Sequence, residues 1–136
     1  YRIERALPDG AIEVEGIPEA WNELSRELLG ITPPNDALGC LQDIHWAMGA
    51  FGYFPSYTFG AVAAAQLFAA ATRQDPEILP ALGRGEFAPL LAWTREHVHT
   101  RASLPPTSEA IMRAATGAPF SAEAFKAHLT SRYLEE

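Results

Sequence analysis

The chain has 136 residues, 48% of them hydrophobic and 20% charged, which suits one globular domain with a sizeable core and excludes a disordered chain. A formal net charge of -7, with no cluster of Lys or Arg to offset it, excludes an electrostatic nucleic-acid partner. The single cysteine, Cys40, excludes an internal disulfide and a cysteine-rich zinc site, and fits a reducing compartment. The longest apolar stretch, Phe59 to Ala71 around Gln66, is too short to span a bilayer. No N-terminal segment has the order of a signal peptide. The expected location is therefore cytoplasmic, with no membrane partner.

The opening Tyr1-Arg2-Ile3-Glu4-Arg5-Ala6-Leu7 is helix-compatible but has neither a cap nor an initiating Met. It reads as the tail of an element that begins earlier, so the chain is expected to be a fragment. Pro8-Asp9-Gly10 sets a turn. Ala11 to Ile17 then alternates apolar Ile12 and Val14 with acidic Glu13 and Glu15, which predicts a short extended connection or one strand. Pro18 suits the first position of a helix to Leu29, capped by Gly30, with Trp21, Leu24 and Leu28 on one face.

Thr32-Pro33-Pro34-Asn35 interrupts the backbone, and Asn35 or Asp36 can cap a helix running to about Met48. Gly49, Gly52 and Pro55 mark the next break. From Ser56 to Arg73, small residues such as Gly60, Ala63, Ala64 and Ala70 predict a central helix that neighbours can approach closely. A short helix to Leu82, a helix from Phe87 to His99, and helices over Thr107 to Thr116 and Ser121 to Leu134 follow. The last two each open with a hydroxyl residue and a Glu in the first turn. The expected fold class is all-α with at most one short extended segment, residues 1–136 forming a single helical segment.

The chemistry concentrates between Gln42 and Tyr57. On the predicted helix Gln42 shares a face with His45 and Trp46, three and four residues on, while Asp43 lies about 100° away from Gln42. An amide, a carboxylate and an imidazole suit recognition of an amide-rich ligand or support of a metal from its second ring of partners. A helix with a polar face and a buried His held by one hydrogen bond accounts for the same pattern. Tyr53 and Tyr57, four apart around Pro55, can stabilise an oxyanion or donate a proton. They can equally be core residues with surface hydroxyls.

His97 and His99 are two apart, so on a helix they face different ways and suit its negative C-terminal pole. Cys40 reads as a small buried residue. No His-Glu-x-x-His, Gly-x-Ser-x-Gly or phosphate loop occurs. No metal is expected to be held by this chain alone, and alone it is expected to be catalytically silent.

The run Gly39-Cys40-Leu41-Gln42-Asp43-Ile44-His45-Trp46 resembles the Gly-x-x-Gln-Asp-x-His-Trp signature of the thermostable, Taq-type metallocarboxypeptidases. The likeness extends over Ile17-Pro18-Glu19-Ala20-Trp21-Asn22 and Pro34-Asn35-Asp36, then Gly52-Tyr53-Phe54-Pro55-Ser56-Tyr57, Ala64-Ala65-Gln66-Leu67-Phe68 and Ala115-Thr116-Gly117. The resemblance implies a nearly all-helical, usually homodimeric enzyme several times longer than this chain. Such an enzyme releases C-terminal residues from peptide substrates, using a divalent metal (zinc or cobalt) held by a His-Glu-x-x-His helix upstream. This chain would be the C-terminal portion, its partner being the missing N-terminal part. His45, Tyr53 and Tyr57 would be catalytic, and Gln42, Asp43 and Trp46 would bind substrate. Thr100-Arg101-Ala102-Ser103-Leu104-Pro105-Pro106 departs from the Gly-containing run of the family. A stand-alone, non-catalytic binding or dimerisation domain is the alternative, with the Ala-rich Ser56 to Arg73 helix as a dimer contact.

Overall fold

The computed structural model describes residues 1–101 and 103–134; Ala102, in the run that departs from the family pattern, lies outside the described residues. Helices account for the regular structure, and no strand occurs among the described residues. They are α1 (Arg2–Ala6), α2 (Ile17–Leu29), α3 (Pro55–Gln74), α4 (Ile78–Gly83), α5 (Ala88–Thr94), α6 (Ser108–Thr116) and α7 (Glu123–Tyr133). The all-α expectation holds. Among the described residues no helix is long and apolar enough to cross a membrane. Two compact units divide the chain, Tyr1–Tyr57 and Thr58–Glu136, and the boundary falls in the first turn of α3.

In the first unit, α1 packs on α2 and buries Ile3. Pro18 lies in the first turn of α2, and Gly30, at φ 71°, closes its C-terminus in the left-handed conformation that side chains disfavour. The strand anticipated over Ala11 to Ile17 does not form. After the Pro8-Asp9-Gly10 turn, the amides of Ala11 and Ile12 fold back to the Ala6 carbonyl at 2.9 and 3.4 Å, and Val14–Gly16 makes a 3-10 turn. Alternation of polar and apolar residues needs a partner strand to become sheet, and here the backbone groups are satisfied locally.

A larger correction concerns Asn35 to Met48. In place of one helix the chain makes three 3-10 turns, Asp36–Leu38, Cys40–Gln42 and Trp46–Met48. Asn35 does cap, accepting from the Leu38 amide at 3.0 Å, but it caps only the first turn. At Gly39 the backbone comes so close to its surroundings that a Cβ would meet Pro33 Cβ at 3.1 Å and the Asn35 carbonyl at 3.2 Å. Asp43 is extended (φ -76°, ψ 118°), and its carboxylate takes the amides of the residues after it. A side chain that bonds the following amides gives the backbone an alternative to the helix, and here the alternative wins.

The second unit is built on the small-residue face of α3. Ala70 and Ala71 on α3, Ile78 on α4, Trp93 on α5 and Ala115 on α6 form one buried cluster. Small side chains on α3 allow the close approach, and Ile78 is fully buried there. A ring of polar side chains closes the unit. Gln66, itself buried, donates to Thr116 Oγ1 (3.3 Å) and the Pro119 carbonyl (2.8 Å), and accepts from the Ser121 amide (3.0 Å). Gln74 accepts from Trp93 Nε1 at 2.9 Å and donates to the Ala115 carbonyl at 3.1 Å.

The helix expected over Phe87 to His99 is shorter than read. α5 begins at Ala88 and widens into a π-turn over Arg95–His99, with His97 set against the Trp93 ring at 4.6 Å. The hydroxyl starts of the last two helices are present: Thr107 Oγ1 accepts from the Ala110 amide and Ser121 Oγ from the Glu123 amide, each at 3.2 Å.

Candidate functional site

The site residues lie in the first unit, on irregular backbone rather than on a helix face. Their arrangement begins with Asp43. Its Oδ1 accepts from the His45 amide at 2.6 Å and the Trp46 amide at 3.4 Å, fixing the start of the Trp46–Met48 turn. Gly49 ends that turn at φ 73°, and the Ala50 amide returns to the His45 carbonyl at 2.8 Å. Gly52, at φ 72°, turns the chain again, its amide donating to Glu4 Oε1 of α1 at 2.5 Å. The chain so reversed enters α3 at Pro55, with Ser56 Oγ donating to the Tyr53 carbonyl at 2.5 Å.

Two reversals bring the aromatic side chains back onto His45. Tyr53 stacks on the imidazole at 5.6 Å between centroids and 23° between planes. Phe54 and Tyr57 meet it edge-on at 5.1 and 6.1 Å. Tyr53 and Tyr57 meet each other edge-on at 5.3 Å. The three residues expected to be catalytic, His45, Tyr53 and Tyr57, therefore form one cluster. Both tyrosines remain about half exposed, so their hydroxyls are within reach of a ligand.

The three residues expected to bind substrate are not gathered in the same way. Gln42 is exposed on the Cys40–Gln42 turn, where Nε2 donates to the Ala37 carbonyl. Trp46 stacks on Phe51, at 6.3 Å and 9° between planes. Asp43 is 11% exposed and lies beneath His45, which is 19% exposed. Its Oδ1 is 3.4 Å from His45 Nδ1, an ion-pair distance for a protonated ring. The geometry falls short of a hydrogen bond, and Nδ1 is enclosed without a partner. The helical spacing that grouped Gln42, His45 and Trp46 does not apply, because the helix is absent.

Electrostatics single out one hydroxyl. The phenol of Tyr57 is held above its usual range, first by the Tyr53 hydroxyl within hydrogen-bonding reach, then by desolvation and the charge Tyr53 would carry.

Phe54, Phe51 and Glu4 complete the site without having been singled out beforehand. Phe54 sits inside the Gly52 to Tyr57 run and a count of aromatics there could have found it. Glu4 is 48 residues from Gly52 in sequence and left no local signal. Cys40 is buried, as expected of a small apolar residue. Among the described residues no three His, Cys, Asp or Glu side chains come together to hold a metal ion. Asp43 and His45 are a pair, two donors where a protein metal centre needs at least three.

The family model for carboxypeptidase Taq (M32) metallopeptidases matches residues 1–133. Thermostable carboxypeptidase 1 of Thermus thermophilus is 42% identical over 131 residues, covering 96% of this chain and 26% of its own length. Carboxypeptidase 1 of Bacillus subtilis is 41% identical over 133 residues, covering 98% and 26%. Among solved structures, metallocarboxypeptidase 1 of Trypanosoma cruzi superposes with a TM-score of 0.93 at 40% identity, over 99% of this chain and 28% of that one. The chain thus spans about a quarter of the length of the relatives it matches.

Proposed function

The chain belongs to the carboxypeptidase Taq (M32) metallopeptidase family, and on that premise we propose that it is the C-terminal part of a metal-dependent carboxypeptidase catalytic domain. It carries one wall of the cleft that receives the end of a peptide. The observation that supports this reading is the enclosure of His45 by Tyr53, Phe54 and Tyr57. An imidazole and two hydroxyls on an apolar surface suit a scissile amide flanked by side chains, since donors placed where charge develops act most strongly away from water.

The hydroxyls of Tyr53 and Tyr57 bind and polarise the carbonyl that becomes an oxyanion, while His45 positions the substrate by accepting from a peptide N–H. The Tyr57 phenol, like any tyrosine, carries its proton at neutral pH and can donate it. Gln42 and Trp46 orient the peptide, and Asp43 belongs to the same wall. The metal, zinc or cobalt, would be held by an upstream His-Glu-x-x-His helix and would supply the activated water. The whole enzyme is a cytoplasmic homodimer acting on peptides, and the chain alone is silent.

The test is release of C-terminal amino acids from N-blocked dipeptides by the full-length polypeptide that contains these residues, before and after chelation. Release that stops with chelator and returns with zinc or cobalt is expected, as is a loss of turnover in His45→Ala. Normal turnover and substrate affinity in His45→Ala would sink the role given to the cluster.

A further inference from the structure

Asp43 was expected to touch substrate, but its surroundings suit another task. The carboxylate is nearly nine-tenths buried, and Oδ1 already accepts from two backbone amides, at 2.6 and 3.4 Å. One of those amides belongs to His45 itself, so the acceptor that fixes the backbone of His45 also lies 3.4 Å from its Nδ1. That nitrogen is enclosed, is bonded to nothing, and has this carboxylate within reach. A buried polar atom left unpaired is costly, and a small ring rotation is the cheap remedy.

We propose that Asp43 is a positioning residue for His45: its carboxylate accepts a hydrogen bond from Nδ1–H when substrate binds, fixing the tautomer that leaves the Nε2 lone pair free. The contact is long and poorly aligned, and contacts of this kind often tighten in a substrate complex. Tyr53 stacked on one face, with Phe54 and Tyr57 at the edges, limits the ring to small rotations. The same chemistry holds imidazoles in other enzymes, where a carboxylate on one ring nitrogen sets what the other can do. Asp43 thus acts through His45 and touches no substrate atom.

This inference rests on the functional reading above, and its test separates the two. In the full-length enzyme Asp43→Asn keeps an oxygen that can accept from the His45 and Trp46 amides but loses the charge, while Asp43→Ala loses both. Nitrogen-15 spectra of labelled histidines, with His45 assigned by His45→Gln, report the tautomer without turnover. Asp43→Asn is expected to keep the melting temperature, shift the His45 proton from Nδ1 towards Nε2, and lower kcat at least tenfold with KM within about twofold. Wild-type tautomer and kcat in Asp43→Asn, with loss only in Asp43→Ala, would reduce Asp43 to a turn cap and overturn the proposal. So would a large rise in KM with kcat and tautomer unchanged, which marks a substrate ligand. Full activity in His45→Ala, by contrast, overturns the functional reading while the tautomer result still stands or falls on its own.

Discussion

The cluster around Ile78 and the cluster around His45 are both knots of packed side chains, made by opposite means. The first gathers one residue or two from each of four helices, with small side chains on α3 setting the distance. The second gathers His45, Tyr53, Phe54 and Tyr57 from a span of thirteen positions, by turns, two glycines at positive φ and side-chain bonds to backbone. Helical packing spreads a core over many weak contacts and so over much of the chain's stability. Turn chemistry fixes a few groups in space and leaves the aromatic ones half exposed. One arrangement holds the fold, and the other presents chemistry.

That division can be broken most directly at Ile78. Ile78→Ala should destabilise the protein by about 2–5 kcal/mol, read as a lower midpoint in urea, because the residue is fully buried. Comparable loss from His45→Ala would show that the site also carries the fold. His45→Ala is instead expected to lower kcat/KM of the full-length enzyme about a hundredfold or more, ~3 kcal/mol in the transition state, with little change in melting temperature.

Between these lies Gln66, a polar group in the helical core. Gln66→Leu leaves the Ser121 amide and the Pro119 carbonyl without their partner and should cost about 1–3 kcal/mol. Faster hydrogen exchange at Ser121 is its signature, and unchanged exchange there would remove the amide from the account.

The smallest effect sharpens the site side alone. Tyr57 has a raised pKa, so its folded-state contribution is full below the ordinary phenol range and is lost as pH rises through the raised value. Tyr53→Phe removes the first cause and should move the Tyr57 titration down towards that ordinary range. Tyrosinate absorbance, differenced against Tyr57→Phe, measures it; an unmoved titration would return the shift to desolvation.

The same division explains what could be read in advance. α2 with its Gly30 cap, the long Ala-rich α3 and the Thr107 start of α6 were legible, because helical signals are local and repeat along the chain. The members of the His45 cluster were also legible by chemistry, yet their geometry was not. Leu38, Leu41 and Ile44 have helical spacing, but all three are exposed. The close approach at Gly39 and the bonds made by Asp43 outweighed that pattern. Gln66 and Thr116 stood out separately in sequence, fifty positions apart, and only the fold shows that they bond each other. Contacts of that range leave no trace in spacing, as with Glu4 and Gly52.

The lone thiol offers a different view of the first unit. Cys40 is 7% exposed and forms part of the turn that leads into Asp43. A thiol reagent can reach it only when that turn opens, so the modification rate counts opening events as they occur. With no second cysteine in the chain, the signal has a single source. The chain thereby carries its own clock for the opening of the turn beside the His45 cluster.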